Sequence, residues 1–271
     1  MRDELSQYSL SCGLNDLSLE NDDAINISDI VTRAIVNIVD CAMYTLNENK
    51  DAYDSCHSTL ELVCAVACSD KQLATAIVNR AIDYITVPKD TLRVEACDML
   101  GWCMGQVLAA PASILKGKKS KISMEEWKVE CAVGGGKALL MRLTDKITKV
   151  RGAAIMACSF FFKSSQNEEL IEIASQLEEG LVWLASNDTS ATNRALAVSF
   201  LPVTEDNIAS IVVRLKDVDV KVREAALEAL RKKVSLNDLG EEVMVEILRS
   251  GLTKRYAAVI GSLFCCKFCV A

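Results

Sequence analysis

Helix-breaking residues, aromatic residues and histidine are scarce in this sequence. The 271 residues include 3 prolines, 12 glycines and one histidine, and aromatic residues make up 5%. Because 51% of the chain is nevertheless hydrophobic, its core must consist mainly of aliphatic and small side chains. Few residues interrupt helices, so the composition favours an all-α protein. The shortage of aromatic residues argues against stacking on single-stranded nucleic acid.

Long apolar runs and targeting signals are also missing. No run reaches the roughly 18 apolar residues that a membrane-spanning helix needs. The first ten residues, MRDELSQYSL, are acidic and polar, which is typical of neither a signal peptide nor a transit peptide. We therefore expect a protein of the cytosol or nucleus without a membrane partner. Its 12 cysteines are expected to be reduced, and most of them to be small buried hydrophobic residues.

No pattern typical of a catalytic or metal-binding site is found in the sequence. The single histidine, His57, has no evident partner that would make it catalytic and is interpreted as an ordinary surface or helix-face residue. Cys266 and Cys269 form a lone CxxC, without the second ligand pair that a zinc site requires. The run from Gly134 to Lys137 lacks two signature residues of a phosphate loop, so it predicts a flexible kink within or beside a helix. We expect no enzyme activity, no metal and no cofactor.

Acidic charge is concentrated at the start of the chain. Residues 1–29 hold seven acidic residues and one basic residue, whereas the rest carries 30 acidic and 29 basic residues. Residues 1–28 are therefore predicted to be an acidic, disordered tail. The nearly neutral remainder can carry basic patches, and it includes a predicted basic loop near residues 111–123. Ser123 and Glu126 then match a capping box at the start of a helix.

An arginine recurs at a fixed place in successive helical patterns. Each copy has alanine three residues later and an apolar residue four residues later, and the arginines are Arg93, Arg151, Arg194, Arg223 and Arg255. The last four are 43, 29 and 32 residues apart, and each interval accommodates one helical hairpin. Three copies also have aspartate six residues before the arginine: Asp145, Asp188 and Asp217. This repeat predicts an α-solenoid that spans residues 29–271.

The clearest copy is Leu215–Val234, LKDVDVKVREAALEALRKKV. A helix beginning near Val220 would bury one apolar face, which consists of Val222, Ala226, Leu227 and Leu230. The alanine allows neighbouring helices to approach closely, and the aspartate can cap the second helix of the hairpin. The polar members of the repeat are therefore interpreted as structural positions: Asp145, Arg151, Asp188, Arg194, Asp217 and Arg223.

Taken together, these motifs resemble HEAT repeats and, over residues 75–260, the N-terminal region of the condensin G subunit. The motif-bearing stretches are Thr91–Gly101, Ala138–Ala157, Ser210–Leu239 and Val245–Val259. The turn pattern "R-L-x-D-K" of that family is matched by Leu143, Asp145 and Lys146, followed by Val150 and Arg151. Family members are several times longer than this chain. The resemblance implies a solenoid of HEAT-like helical hairpins.

The resemblance also implies a non-catalytic role in chromosome condensation during mitosis. In that family the subunit binds the kleisin of condensin and duplex DNA without sequence specificity, and it contacts the SMC subunits indirectly. The implied location is the nucleus and its chromosomes, together with a cytoplasmic pool. The alternative is a HEAT-repeat adaptor that binds other proteins but not DNA.

Basic residues near the helix ends are the candidate contacts for DNA or for an acidic kleisin segment. They are Lys146, Lys149, Arg214, Lys216, Lys221, Lys232 and Lys233. Backbone N–H groups at a helix N-terminus add positive potential beside such cations, which favours phosphate binding. Contacts of this kind would be independent of base sequence and sensitive to salt.

Overall fold

The computed structural model describes residues 27–67, 70–109, 123–162 and 167–233, together with Val245 and Arg249. Several predictions fall on other residues. Nearly all of the acidic tail at 1–28 and of the basic loop near 111–123 lies outside the described residues. The same is true of the fifth repeat arginine, Arg255, and of the CxxC formed by Cys266 and Cys269.

Ten α-helices make up the described part of the chain, which contains no β-strand. They are α1 (Ile27–Glu48), α2 (Tyr53–Ala67), α3 (Lys71–Tyr84), α4 (Asp90–Ala109), α5 (Met124–Leu143), α6 (Thr148–Cys158), α7 (Glu168–Asn187), α8 (Ala191–Phe200), α9 (Ile208–Val213) and α10 (Val220–Lys233). Short 3-10 turns lie at Lys50–Ala52, Ser159–Phe161 and Arg214–Lys216. Among these helices, none combines the length and hydropathy needed to cross a bilayer.

Consecutive helices pack in pairs, which gives five hairpins from α1–α2 to α9–α10. The even-numbered helices form one continuous layer, because α2 contacts α4, α4 contacts α6, α6 contacts α8, and α8 contacts α10. On the other side α1 contacts α3, α3 contacts α5, and α5 contacts α7. Each hairpin thus packs on its neighbours along the chain, which is the arrangement of an α-solenoid. The predicted all-α solenoid is confirmed.

The repeat pattern corresponds to the core. Four alanines, each three residues after a repeat arginine, are fully buried: Ala96, Ala154, Ala197 and Ala226. The face predicted for Leu215–Val234 is buried as well, with Val222, Ala226, Leu227 and Leu230 exposed by 0–3%. Small residues at these positions let the even-numbered helices pack closely, while the aliphatic residues fill the space between hairpins.

Helix α5 contains both the predicted capping box and the glycine run. The Ser123 hydroxyl accepts the Glu126 N–H at 3.1 Å, and the Ser123 N–H donates to the Glu126 carboxylate at 2.7 Å. The run expected to form a flexible kink lies inside this helix. A Cβ on Gly136 would lie 2.4 Å from Cγ1 of Ile173 in α7. The absence of a side chain there permits the close approach of α5 and α7.

Candidate functional site

Three of the repeat arginines reach from their own helix to the turn of the next hairpin. Arg151 pairs with Asp188 through two nitrogen–oxygen contacts, of 2.7 and 2.8 Å. Arg194 pairs with Asp217 in the same way, at 3.0 and 2.9 Å. The third pair is Arg93 with Asp145, at 3.0 and 3.3 Å. These three pairs, which we call the arginine–aspartate ladder, join four consecutive hairpins.

The same arginines also hold their own turns. Arg151 donates from Nη1 to the backbone carbonyl of Asp145 at 2.8 Å, six residues earlier. Arg194 donates to the carbonyl of Asp188 at 2.9 Å. The carboxylate of Asp145 or Asp188 therefore accepts from the arginine of the preceding hairpin. Its backbone carbonyl accepts from the arginine that follows six residues later in the chain. At this six-residue spacing one guanidinium spans the turn.

The ladder aspartates also close the turns that carry them. Asp145 and Asp188 accept the N–H two residues later, at 2.9 and 2.8 Å. Burial opposes ionisation of both carboxyls, but these N–H groups and the arginine partners outweigh it and lower their pKa. For Asp217, the hydrogen bond from Arg194 is the largest cause of a lowered pKa.

The prediction that these aspartates cap the second helix of each hairpin is wrong. The N-cap of α6 is Ile147, which makes no side-chain cap, and the N-cap of α8 is Ser190. Asp145 and Asp188 each lie two residues earlier. At that position the carboxylate binds the arginine of the preceding hairpin. These aspartates therefore link hairpins and do not cap the second helix.

Four of the predicted contact residues have exposed side chains beside the ladder turns: Lys146, Lys149, Lys216 and Lys221. The fourth hairpin interrupts this series, because Thr189 and Thr192 occupy the positions that Lys146 and Lys149 have in the third. The remaining lysines, Lys232 and Lys233, end α10, and their side chains lie outside the described part.

Arg214 lies deeper than the lysines. Its side chain is 17% exposed, with Nη1 3.9 Å from an Asp217 oxygen and 3.4 Å from the Ala185 carbonyl. Arg142 has the equivalent place, three residues before its aspartate, and Nη1 lies 3.0 Å from Asp145. Arg142 was not predicted from the sequence as a site residue. It could have been found because it precedes its aspartate by three residues, as Arg214 does.

A second polar cluster lies between α2 and α4. His57 Nδ1 is 3.1 Å from both carboxylate oxygens of Glu95, whose side chain is fully buried. Asp98 completes the group, and one ligand-type atom from each residue lies within 4.8 Å of the others. Tyr53 stacks on the imidazole, and Trp102 meets it edge-on. The sequence suggested no partner that would make His57 catalytic, and the structure places Glu95 and Asp98 beside its imidazole.

Comparisons with known proteins identify a relative in sequence and another in structure. No family model matches the chain. Condensin complex subunit 3 of Homo sapiens is 31% identical over 123 residues, which are 45% of this chain and 12% of the human protein. A chain in the crystal structure of the S. pombe condensin Cnd3–Cnd2 subcomplex matches with a TM-score of 0.60 and 20% identity. That match covers 87% of this chain and 27% of the other.

The chain therefore spans about an eighth of the curated relative and about a quarter of the matched structure. The sequence similarity is to a subunit of the condensin complex, and the structural similarity is in the fold. This solenoid, the ladder and its exposed lysines are the features from which a function can be argued.

Proposed function

We propose that this chain acts as a condensin HEAT-repeat subunit of the G type, which binds a kleisin and duplex DNA and catalyses no reaction. The observation that carries this proposal is the sequence similarity to human condensin complex subunit 3, together with a fold match over 87% of the chain. The matched S. pombe protein was crystallised as a Cnd3–Cnd2 subcomplex, which supports kleisin binding. The SMC subunits are then indirect partners, on chromosomes in the nucleus.

The start of α6 is the strongest candidate for DNA contact. Lys146 and Lys149 are exposed there, and the N-cap residue Ile147 offers no side-chain acceptor to the first N–H groups. Those donors and the two ammonium groups can meet a phosphate together. At α10, by contrast, Asp219 accepts the N–H of Lys221 at 2.8 Å and brings a negative charge. Lys221 is therefore a weaker contact.

The ladder supports this site by fixing its backbone. Arg151 Nη1 donates to the backbone carbonyls of Asp145 and Lys146, at 2.8 and 3.3 Å. These carbonyls belong to the two consecutive residues of the turn that carries Lys146. A rigid turn loses little conformational entropy when its lysine meets a phosphate. Binding of this kind is independent of base sequence and falls steeply with salt.

An adaptor that binds protein but not DNA is the second candidate. Large apolar side chains are exposed on the adjacent helices α5 and α7, namely Met141, Ile171 and Trp183, at 50–56%. Apolar surface of this kind suits a protein partner rather than a phosphate backbone. The two candidates differ in whether the lysines at the start of α6 contribute to binding.

Duplex DNA binding by the full chain, measured at about 50 and 200 mM salt, tests the proposal. The double variant Lys146→Glu/Lys149→Glu is compared with Arg33→Glu/Lys137→Glu, which reverses the same number of exposed charges on α1 and α5. We expect the first variant to lose at least about tenfold in affinity at low salt and to reduce the salt slope by about two. The second should change affinity by less than about twofold at the higher salt, where long-range effects are screened.

Two results would count against DNA contact at α6. Equal losses of DNA affinity in both variants would show that the effect comes from net charge and not from contacts at the start of α6. If the unmodified chain bound no duplex at the lower salt, the adaptor would replace the proposed function.

A further inference from the structure

The His57 cluster, defined as His57, Glu95 and Asp98, is placed where two helices of the even-numbered layer meet. His57 comes from α2, and the two acids come from α4. Glu95 and Asp98 are three residues apart, so both lie on the α4 face that meets α2. The cluster therefore joins the first hairpin to the second. Within the described residues, the arginine–aspartate ladder begins only at the second hairpin.

Glu95 occupies a position that is apolar in the other described copies of the repeat. It lies two residues after its repeat arginine, where the other copies have Ala153, Leu196 and Ala225. The Glu95 side chain is fully buried, and its carboxylate contacts the imidazole. A buried carboxylate at an otherwise apolar position is unfavourable without compensating charge. In the structure Glu95 is contacted by the His57 imidazole and hydrogen-bonded to the Tyr53 side chain, and neither of these brings a fixed positive charge.

Acidic side chains outnumber the imidazole in the cluster. Two carboxylates face one imidazole, and the aromatic rings of Tyr53 and Trp102 line that imidazole without contributing a cation. A bound cation would compensate both acids. Because one ligand would be an imidazole nitrogen, the cluster suits a metal ion that accepts both nitrogen and oxygen ligands.

We propose that His57, Glu95 and Asp98 bind one divalent transition-metal ion of the Zn²⁺ class, through an imidazole nitrogen and one oxygen from each carboxylate. Ligand atoms about 2.0–2.2 Å from a tetrahedral ion lie about 3.3–3.6 Å apart. The 3.1 Å separation between His57 Nδ1 and Glu95 is close to that spacing. Metal binding at Nδ1 requires that this nitrogen carry no proton, so a protonated imidazole releases the Nδ1 proton to solvent and a neutral one carries its proton on Nε2. The fourth ligand is water.

The ion would link α2 to α4, in addition to the Arg80–Asp40 ion pair that joins the first two hairpins through α1 and α3. Mg²⁺ and Ca²⁺ are poor candidates, because they prefer sites made entirely of oxygen ligands. The proposal is independent of DNA and kleisin binding, since no ladder residue and no candidate lysine belongs to the cluster.

Zinc stoichiometry of the chelator-treated full chain tests the proposal. Because the cysteines can also bind zinc, the test compares variants that leave every cysteine in place: His57→Gln and Asp98→Asn, with Glu61→Gln as control. Glu61 is an exposed acid on the same helix as His57. We expect the unmodified chain and the control to retain one more Zn²⁺ per chain after dialysis than either cluster variant. Zinc should also raise the Tm of the unmodified chain and of the Glu61→Gln control, but not the Tm of either cluster variant.

The comparison stays informative if a variant folds poorly, since helicity is measured alongside and Asp98→Asn removes only a charge. Equal zinc content in all four proteins would overturn the proposal. An equal rise in Tm with Mg²⁺ would overturn the assignment to the zinc class.

Discussion

At the scale of single residues, the repeat arginine combines two sets of contacts in one guanidinium. Arg151 donates from Nε and Nη2 to the carboxylate of Asp188, and from Nη1 to carbonyls of its own turn. The Asp188 side chain is fully buried and that of Arg151 is 12% exposed. A planar fork of donors can meet these acceptors together, whereas a lysine ammonium cannot.

Substitution of Asp188 tests this contact and its dependence on pH. We expect Asp188→Asn to lower the free energy of unfolding at pH 7 by about 3 kcal/mol, because a buried charge loses its partner. The folded-state pKa of Asp188 is lowered, so its stabilising contribution is present above the unfolded-state pKa of about 4. It is lost as the pH falls through the lower, folded-state pKa.

Denaturant unfolding from pH 7 down to pH 3 measures that dependence, with Asp206→Asn as control for an exposed acid. The difference between the unmodified chain and Asp188→Asn should shrink below about pH 4. A difference that stays constant across this range would show that Asp188 acts by packing and not by charge.

At the scale of helices, the glycines of α5 show how one element is fitted to its neighbours. A Cβ on Gly136 would meet Ile173 of α7, whereas a Cβ on Gly134 would only touch Ile82 Cδ1 at 3.6 Å, an ordinary contact. Two glycines of the same run therefore face different constraints. Helical propensity favours alanine at both, by about 0.5–1 kcal/mol.

Alanine substitutions at these two glycines should act in opposite directions. We expect Gly134→Ala to raise the free energy of unfolding by about 0.5 kcal/mol, since the helix gains a better former without a clash. Gly136→Ala should lower it by about 1–3 kcal/mol, because the added methyl group forces α5 and α7 apart. Denaturant midpoints of the two variants decide the matter, and equal shifts would contradict the close contact at Gly136.

Much of the element pattern could be predicted from the sequence, whereas the links between elements could not. The alanines three residues after each repeat arginine were predicted as core positions, and Ala154 is an example that is buried. This was possible because the periodicity of apolar residues indicates which face of a helix is buried. The partner of Arg151 depends on which turn lies beside it, and Asp188 is 37 residues away. His57 and Glu95 are 38 residues apart, and their contact likewise depends on how α2 packs against α4. Arg142 was overlooked because its spacing to Asp145 becomes meaningful only beside that of Arg214.

At the scale of the whole molecule, the described chain is a row of five hairpins held by contacts between neighbours. The ladder joins the second to the fifth, and the Arg80–Asp40 ion pair, at 2.6 Å, spans the first two. Such a solenoid offers one long surface rather than a closed pocket, which suits an extended kleisin segment or a DNA backbone. The predicted division into an acidic tail at 1–28 and a solenoid at 29–271 remains a proposal.

Equilibrium binding of a condensin kleisin to the full chain tests the account most directly. We expect saturable one-to-one binding with a Kd below about 10 μM, in the range of specific protein complexes. Lys146→Glu/Lys149→Glu should retain this affinity if those lysines contact DNA alone. The account would be contradicted if the folded chain bound no kleisin at concentrations up to about 100 μM, about tenfold above the expected limit.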